Sequence, residues 1–142
     1  MQRERFAAAL YGFCAVVVIA FQMALAAGAP WGAYTMGGAV AGVLPTGLRL
    51  ACAGQALFNG WMTLVVLVRA GVLGARWTPG ATRLIWLVVV FGAIGTVLNL
   101  ITPSAAERAR WAPVAFLLFA TSLIVARGPR TTSQRRPPFS PA

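Results

Sequence analysis

The sequence predicts an all-α integral membrane protein, a four-helix bundle with a Gly-rich outer loop between helices 1 and 2. Three observations carry that expectation. Hydrophobic residues make up 59% of the 142 and charged residues only 10%, a balance far from that of a soluble domain. The apolar residues gather into four stretches, each close to the roughly 20 residues with which a helix crosses the hydrocarbon. The arginines stand at or near the ends of those stretches.

A net charge of +10 gathered on a soluble domain would be the footprint of phosphate binding. Bordering apolar segments, the same charge reads as an orientation signal and as contact with anionic headgroups. The bilayer is therefore the expected partner, and nucleic acid is not. All twelve basic residues are Arg, with Lys, His and Asp absent, a usage that suits a GC-rich bacterial genome.

The first span covers about residues 6–27, behind the polar start Met1-Gln2-Arg3-Glu4-Arg5. Its basic start, apolar run and Ala24-Leu25-Ala26 imitate a cleaved signal peptide. The run exceeds the roughly 7 to 15 residues of a signal's apolar core, so it reads as a retained helix. Residues 28–48, GAPWGAYTMGGAVAGVLPTGL, are uncharged yet interrupted by glycines and by Pro30 and Pro45. Such punctuation breaks helices, and an irregular segment this long in a small domain is commonly functional. It is expected to lie in the outer interface or to dip back into the protein, with Trp31 and Tyr34 at headgroup level.

The second span covers about residues 50–74, with Arg69 reaching the interface along its aliphatic stem. The joint Gly74-Ala75-Arg76-Trp77-Thr78-Pro79-Gly80 holds a Pro-Gly turn and an aromatic anchor, so the third span, about 84–101, runs antiparallel to the second. Ser104 and Glu107 fit the S-x-x-E capping box and place the start of the fourth helix at Ala105. That helix is expected to run to about residue 126, with Trp111 anchoring its outer end and Pro113 bending it. Residues 1–127 thus form one transmembrane domain, and the basic, proline-rich residues 128–142 are expected to be a disordered cytoplasmic tail.

Arginine asymmetry sets the orientation. With the N-terminus inside, Arg3, Arg5, Arg69, Arg76, Arg83, Arg127, Arg130, Arg135 and Arg136 are cytoplasmic, and only Arg49, Arg108 and Arg110 face outward. The expectation is a multi-pass protein of the bacterial plasma membrane with both termini in the cytoplasm.

The same residues argue against an enzyme. General acid–base chemistry recruits His, Asp, Glu or Lys, and of these the chain has only Glu4 and Glu107, at opposite faces of the membrane. Glu107 has a structural role as the returning half of the capping box, with Arg110 one turn on as an ion-pair partner. Neither metal ligands nor haem ligands cluster, so no cofactor is expected. Cys14 and Cys52 lie at different depths and read as separate buried thiols. Proton-coupled transport draws on an ionisable group within the membrane, and none lies at mid-depth.

Uncharged polarity inside the spans remains: Gln22, Gln55 with Asn59 one turn on, and Asn99. Helical rise puts Gln22, Gln55 and Asn99 roughly 5 to 8 Å below the outer boundary, close enough to meet. Two roles are open to them. They can hydrogen-bond one another as interhelical glue worth about 1 kcal/mol per bond. Alternatively, they line a polar vestibule beneath the Gly-rich loop, framed by Arg49, Arg108 and Arg110, that admits a neutral or anionic solute. Trp61 reads as packing, and small residues at four-residue spacing, such as Gly92 with Thr96, allow close helix approach.

Gly28-Ala29-Pro30-Trp31-Gly32, Gly37-Gly38, Leu44-Pro45 with Arg49, then Asn99, Ser104, Glu107-Arg108, Trp111 and Pro113-Val114 resemble a pattern in small uncharacterised four-span bacterial membrane proteins. The resemblance implies the four-span fold and no activity. The functional expectation is a non-enzymatic accessory or interaction subunit that contacts a membrane-protein partner or its own copies. The alternative is a homo-oligomeric channel or carrier for a small neutral or anionic solute.

Overall fold

The architecture is taken from a computed structural model of the chain, in which residues 2–74 and 78–129 are described. They form four long helices: α1 (Gln2–Ala27), α2 (Thr46–Arg69), α3 (Thr78–Ile101) and α4 (Ala105–Arg127). No strand occurs among the described residues. All four helices are long and apolar enough to cross a membrane.

Each helix packs on its neighbours in the order α1, α2, α3, α4, and α4 closes the ring on α1. The α3–α4 and α1–α2 pairs are the most intimate, and α2 and α3 meet least. One end of the bundle, the terminal end, gathers the start of α1 and the ends of α2 and α4: the Glu4 side chain lies against Gly128, and Arg69 bonds to the Gly128 carbonyl at 2.8 Å. The other, the loop end, carries the segment between α1 and α2.

Helix boundaries differ from the expected spans where local chemistry overrides hydropathy. The polar residues Gln2 to Arg5 belong to α1, and α2 begins at Thr46, directly after Pro45, whose extended backbone at ψ 152° is not helical. It ends at Arg69, not near 74. Gly71 takes φ +68°, and the Gly71 N–H to Val68 and Val72 N–H to Leu67 bonds form a Schellman turn. The helix α3 starts at Thr78. The expected interface anchor Trp77, and the expected disordered tail from residue 130 onward, lie outside the described residues.

Packing density is uneven along the bundle. At the terminal end all four helices contribute to one apolar core, including Ala8, Tyr11, Val66, Ile85, Val88 and Val125. At the loop end only a small cluster forms, of Leu25, Leu44 and Cys52. The remaining large apolar side chains, such as Phe6, Phe13, Leu57 and Leu100, face outward, as a lipid-facing surface requires.

Candidate functional site

The Gly-rich segment is an ordered cap. Two short 3-10 turns, Gly32–Tyr34 and Met36–Gly38, are folded across the loop end, and the Gly32 N–H donates to the Gly42 carbonyl at 2.9 Å. Glycine is demanded at Gly32, where a Cβ would collide with the Val40 carbonyl and lie 2.8 Å from that of Gly42. It is demanded again at Gly37, whose φ of +74° turns the backbone N–H toward α4.

The first turns of α4 hold this cap. Ser104 is the N-cap: its Oγ accepts from the Glu107 N–H at 3.2 Å and donates to the Ala33 carbonyl at 3.1 Å. The capping box is only half made. The Glu107 carboxylate does not return to the Ser104 backbone; its Oε2 accepts from the Gly37 N–H at 2.8 Å and the Thr102 hydroxyl at 2.9 Å. Nor does Glu107 pair with Arg110, whose guanidinium lies over the Tyr34 ring, 4.0 Å from its centroid. Trp111 is turned inward and donates Nε1–H to the Tyr34 carbonyl at 2.9 Å. Trp31 stacks on Phe21 with centroids 6.1 Å apart, and Phe21 meets Trp111 at 4.5 Å with the rings tilted by 48°.

Beneath the cap lies a chamber of about 420 Å³ among all four helices. Gln22, Gln55, Asn59 and Asn99 all line it, together with Thr35 from the cap and Glu107 from α4. The chamber reaches from Gln22 down to Tyr11, about 16 Å along α1 at the helical rise per residue. Its floor is Tyr11, Met62 and Val88, which belong to the packed core at the terminal end. The chamber is therefore closed toward the terminal end.

The expected glue between the amides is not made. Asn59 Nδ2 donates to the Gln55 carbonyl at 2.9 Å and Asn99 Nδ2 to the Gly95 carbonyl at 2.8 Å, each within its own helix. Gln22 Oε1 is buried without a hydrogen-bond partner. Each Asn side chain thus turns back to the carbonyl four residues earlier in its own helix.

The arginines correct the expected frame, because none of the three lines the chamber. Arg49 donates Nε–H to the Ala26 carbonyl at 2.9 Å, in the last turn of α1. Arg108 donates to the Thr102 carbonyl at 2.7 Å, and Arg110 leans on Tyr34 in a shallow groove between α1 and α4. A guanidinium is drawn to exposed carbonyls at chain turns and to a ring face, and both lie outside the apolar chamber.

Several contributors were hidden from the sequence. Thr35 and Tyr11 reach the chamber only through tertiary folding. Gly95 lines it, and a Cβ there would meet nothing within 4 Å, whereas one at Gly92 would come 3.1 Å from Phe119 Cα where α3 and α4 touch. Apart from Asn99, the chamber-lining side of α3 is as apolar as its outward side, so no pattern in the sequence marked it. Arg69 has a different task from the expected interfacial one: buried at the terminal end, it donates to the Gly128 carbonyl and caps α4. Cys14 and Cys52 are both buried and unpaired. No family model matches this chain, and neither does any curated protein or solved structure.

Proposed function

We propose that this is a non-enzymatic accessory protein of a bacterial plasma membrane, with both termini cytoplasmic, that binds a small ligand in the chamber at its outer end. The observation that carries the reading is that four amide side chains from three helices line one cavity and make no bond across it. Gln22 Oε1 is buried with no partner, and a buried acceptor left so costs roughly 1–3 kcal/mol, so water or a ligand polar group is needed to complete it. A volume of about 420 Å³ falls in the range of small-molecule sites. Arginine asymmetry supports the orientation.

The packed floor favours binding over conduction, since a solute entering from the loop end meets Tyr11, Met62 and Val88. Catalysis finds little support: Glu107 already accepts two hydrogen bonds, and the other ionisable group on the chamber wall is the Tyr11 phenol. Solvent extraction of the protein purified from its native membrane in mild detergent tests the reading. A bound small molecule should be recovered at near-stoichiometric yield and be lost from Gly95→Leu, which fills the chamber. Equal recovery from both proteins refutes the assignment.

A further inference from the structure

The chamber's chemistry selects its ligand. We infer that the chamber takes an amphiphilic primary amine, with the ammonium head at Glu107 and the amide oxygens and the apolar body reaching the bilayer between α2 and α3. This rests on the chamber being a binding site.

The first argument is hydrogen-bond polarity. The bonds from Asn59 and Asn99 to carbonyls of their own helices fix which end of each amide is nitrogen, because an oxygen there would face a carbonyl oxygen. Both side-chain oxygens are left without a protein partner. Glu107 adds a second oxygen beyond the one that holds Gly37 and Thr102. Each amide nitrogen has spent one of its two N–H groups on its own helix, so the groups that stand wholly unused are oxygens, one from each Asn and one from Glu107, and a donor completes them. An ammonium brings three N–H groups to them.

The second argument is charge. Glu107 is the one acidic residue on the chamber wall, and no guanidinium among the described residues forms an ion pair with it. Arg108 and Arg110, its neighbours in sequence, are exposed and engaged with the Thr102 carbonyl and the Tyr34 ring. A protein of net charge +10 therefore keeps its positive groups off this wall and presents one negative group there. Phe21, Phe58, Phe91 and Trp111 supply aromatic faces that attract a cation.

The third argument is shape. Around the Phe58–Phe91 edge contact, at 5.0 Å, α2 and α3 are the least closely packed of the neighbouring helices, and exposed chamber-lining residues on both mark an opening there. Phe91, Ile94 and Leu98 line the chamber yet remain 48%, 49% and 57% exposed, and Gln55 opposite them is exposed too. That opening faces lipid, not water, if the helices span the membrane. A ligand with an apolar body enters there, while its head sits below the cap.

The test uses the full chain in nanodiscs of phosphatidylcholine, with 4-phenylbutylamine and 4-phenylbutanol as paired probes and binding followed by saturation-transfer NMR. The amine should bind about tenfold more tightly than the alcohol. Glu107→Gln keeps an acceptor for Gly37 and Thr102 while removing the charge, so it should cost the amine about tenfold and leave the alcohol unchanged. Asn99→Leu, which removes an acceptor without touching the cap, should also weaken the amine and serves as the second variant should Glu107→Gln lose the alcohol as well. Equal affinity of the two probes, or amine binding unchanged in both variants, overturns the amine assignment; the chamber still stands in that case if Gly95→Leu abolishes alcohol binding. Binding that persists in Gly95→Leu overturns the chamber reading and this inference together, and so does the failure of both probes to bind.

Discussion

Arg49, Arg69 and Arg108 all act on backbone oxygen. Arg49 serves the end of α1 and Arg69 the end of α4, each placing a cation where a helix C-terminus leaves carbonyls unpaired. Arg69 is only 3% exposed, so removing it strands buried acceptors. Arg69→Met should lower stability by about 1–3 kcal/mol, with Arg69→Lys restoring part of it, as read from thermal unfolding in detergent. Glycine is equally specific. Gly32→Ala drives a methyl into the Val40 and Gly42 carbonyls and should cost about 1–3 kcal/mol. Gly42→Ala meets no atom within 4 Å and strains only its φ of +106°. The two should separate steric from conformational cost in the same unfolding assay.

Among the elements, α4 does two jobs: it completes the bundle and fastens the cap. Its first turns hold Ala33, Tyr34 and Gly37 through Ser104, Trp111 and Glu107. Glu107→Ala should expose the Gly37 amide and accelerate hydrogen exchange across residues 33–40, whereas Glu107→Gln should leave exchange near wild type because an acceptor remains. Equal exchange in the two variants would show that the carboxylate does not hold the cap. The α3–α4 contact makes a parallel contrast between two glycines one turn apart. Gly92→Ala should destabilise, since its methyl meets the Phe119 backbone at 3.1 Å. Gly95→Ala should be neutral or stabilising by up to about 1 kcal/mol through helix propensity, because its methyl enters the chamber. Thermal unfolding of the pair checks the asymmetry of the α3 face.

For the whole molecule, the consequence is a bundle solid at one end and hollow at the other. The cooperative core at the terminal end carries the stability, so the loop end can hold a cavity without unfolding the fold. Proteoliposomes containing the protein should show no glycerol flux above empty vesicles, because the chamber ends on the core. Measurable flux would require a path between protomers or a floor that opens. Reporter fusions after Pro30, Pro79, Ser104 and Pro141 should read outside, inside, outside and inside; an external signal at Pro79 would invert the orientation and place the chamber on the cytoplasmic side.

Much of the fold was legible in the sequence. Hydropathy marks four spans because a bilayer admits few alternatives to apolar helices, and Pro45, Ser104 and the Gly-rich loop mark ends and breaks through local backbone chemistry. The amides Gln22, Gln55, Asn59 and Asn99 stood out because polar residues are rare in such helices. What they do was not legible. Lipid-facing and core-facing sides of α3 are both apolar, so no pattern tells which face looks inward, and hence whether two amides meet or stand apart. Helix rotation and spacing decided that Asn59 and Asn99 bond to their own helices across an open chamber. The fold of the cap decided that Glu107 leaves Arg110 for Gly37, and that Arg49 and Arg108 turn to carbonyls and Arg110 to the Tyr34 ring. Local sequence determines where a helix starts and stops; which atoms face each other depends on segments some 70 residues apart, as Gly37 and Glu107 are, and only tertiary packing brings those together.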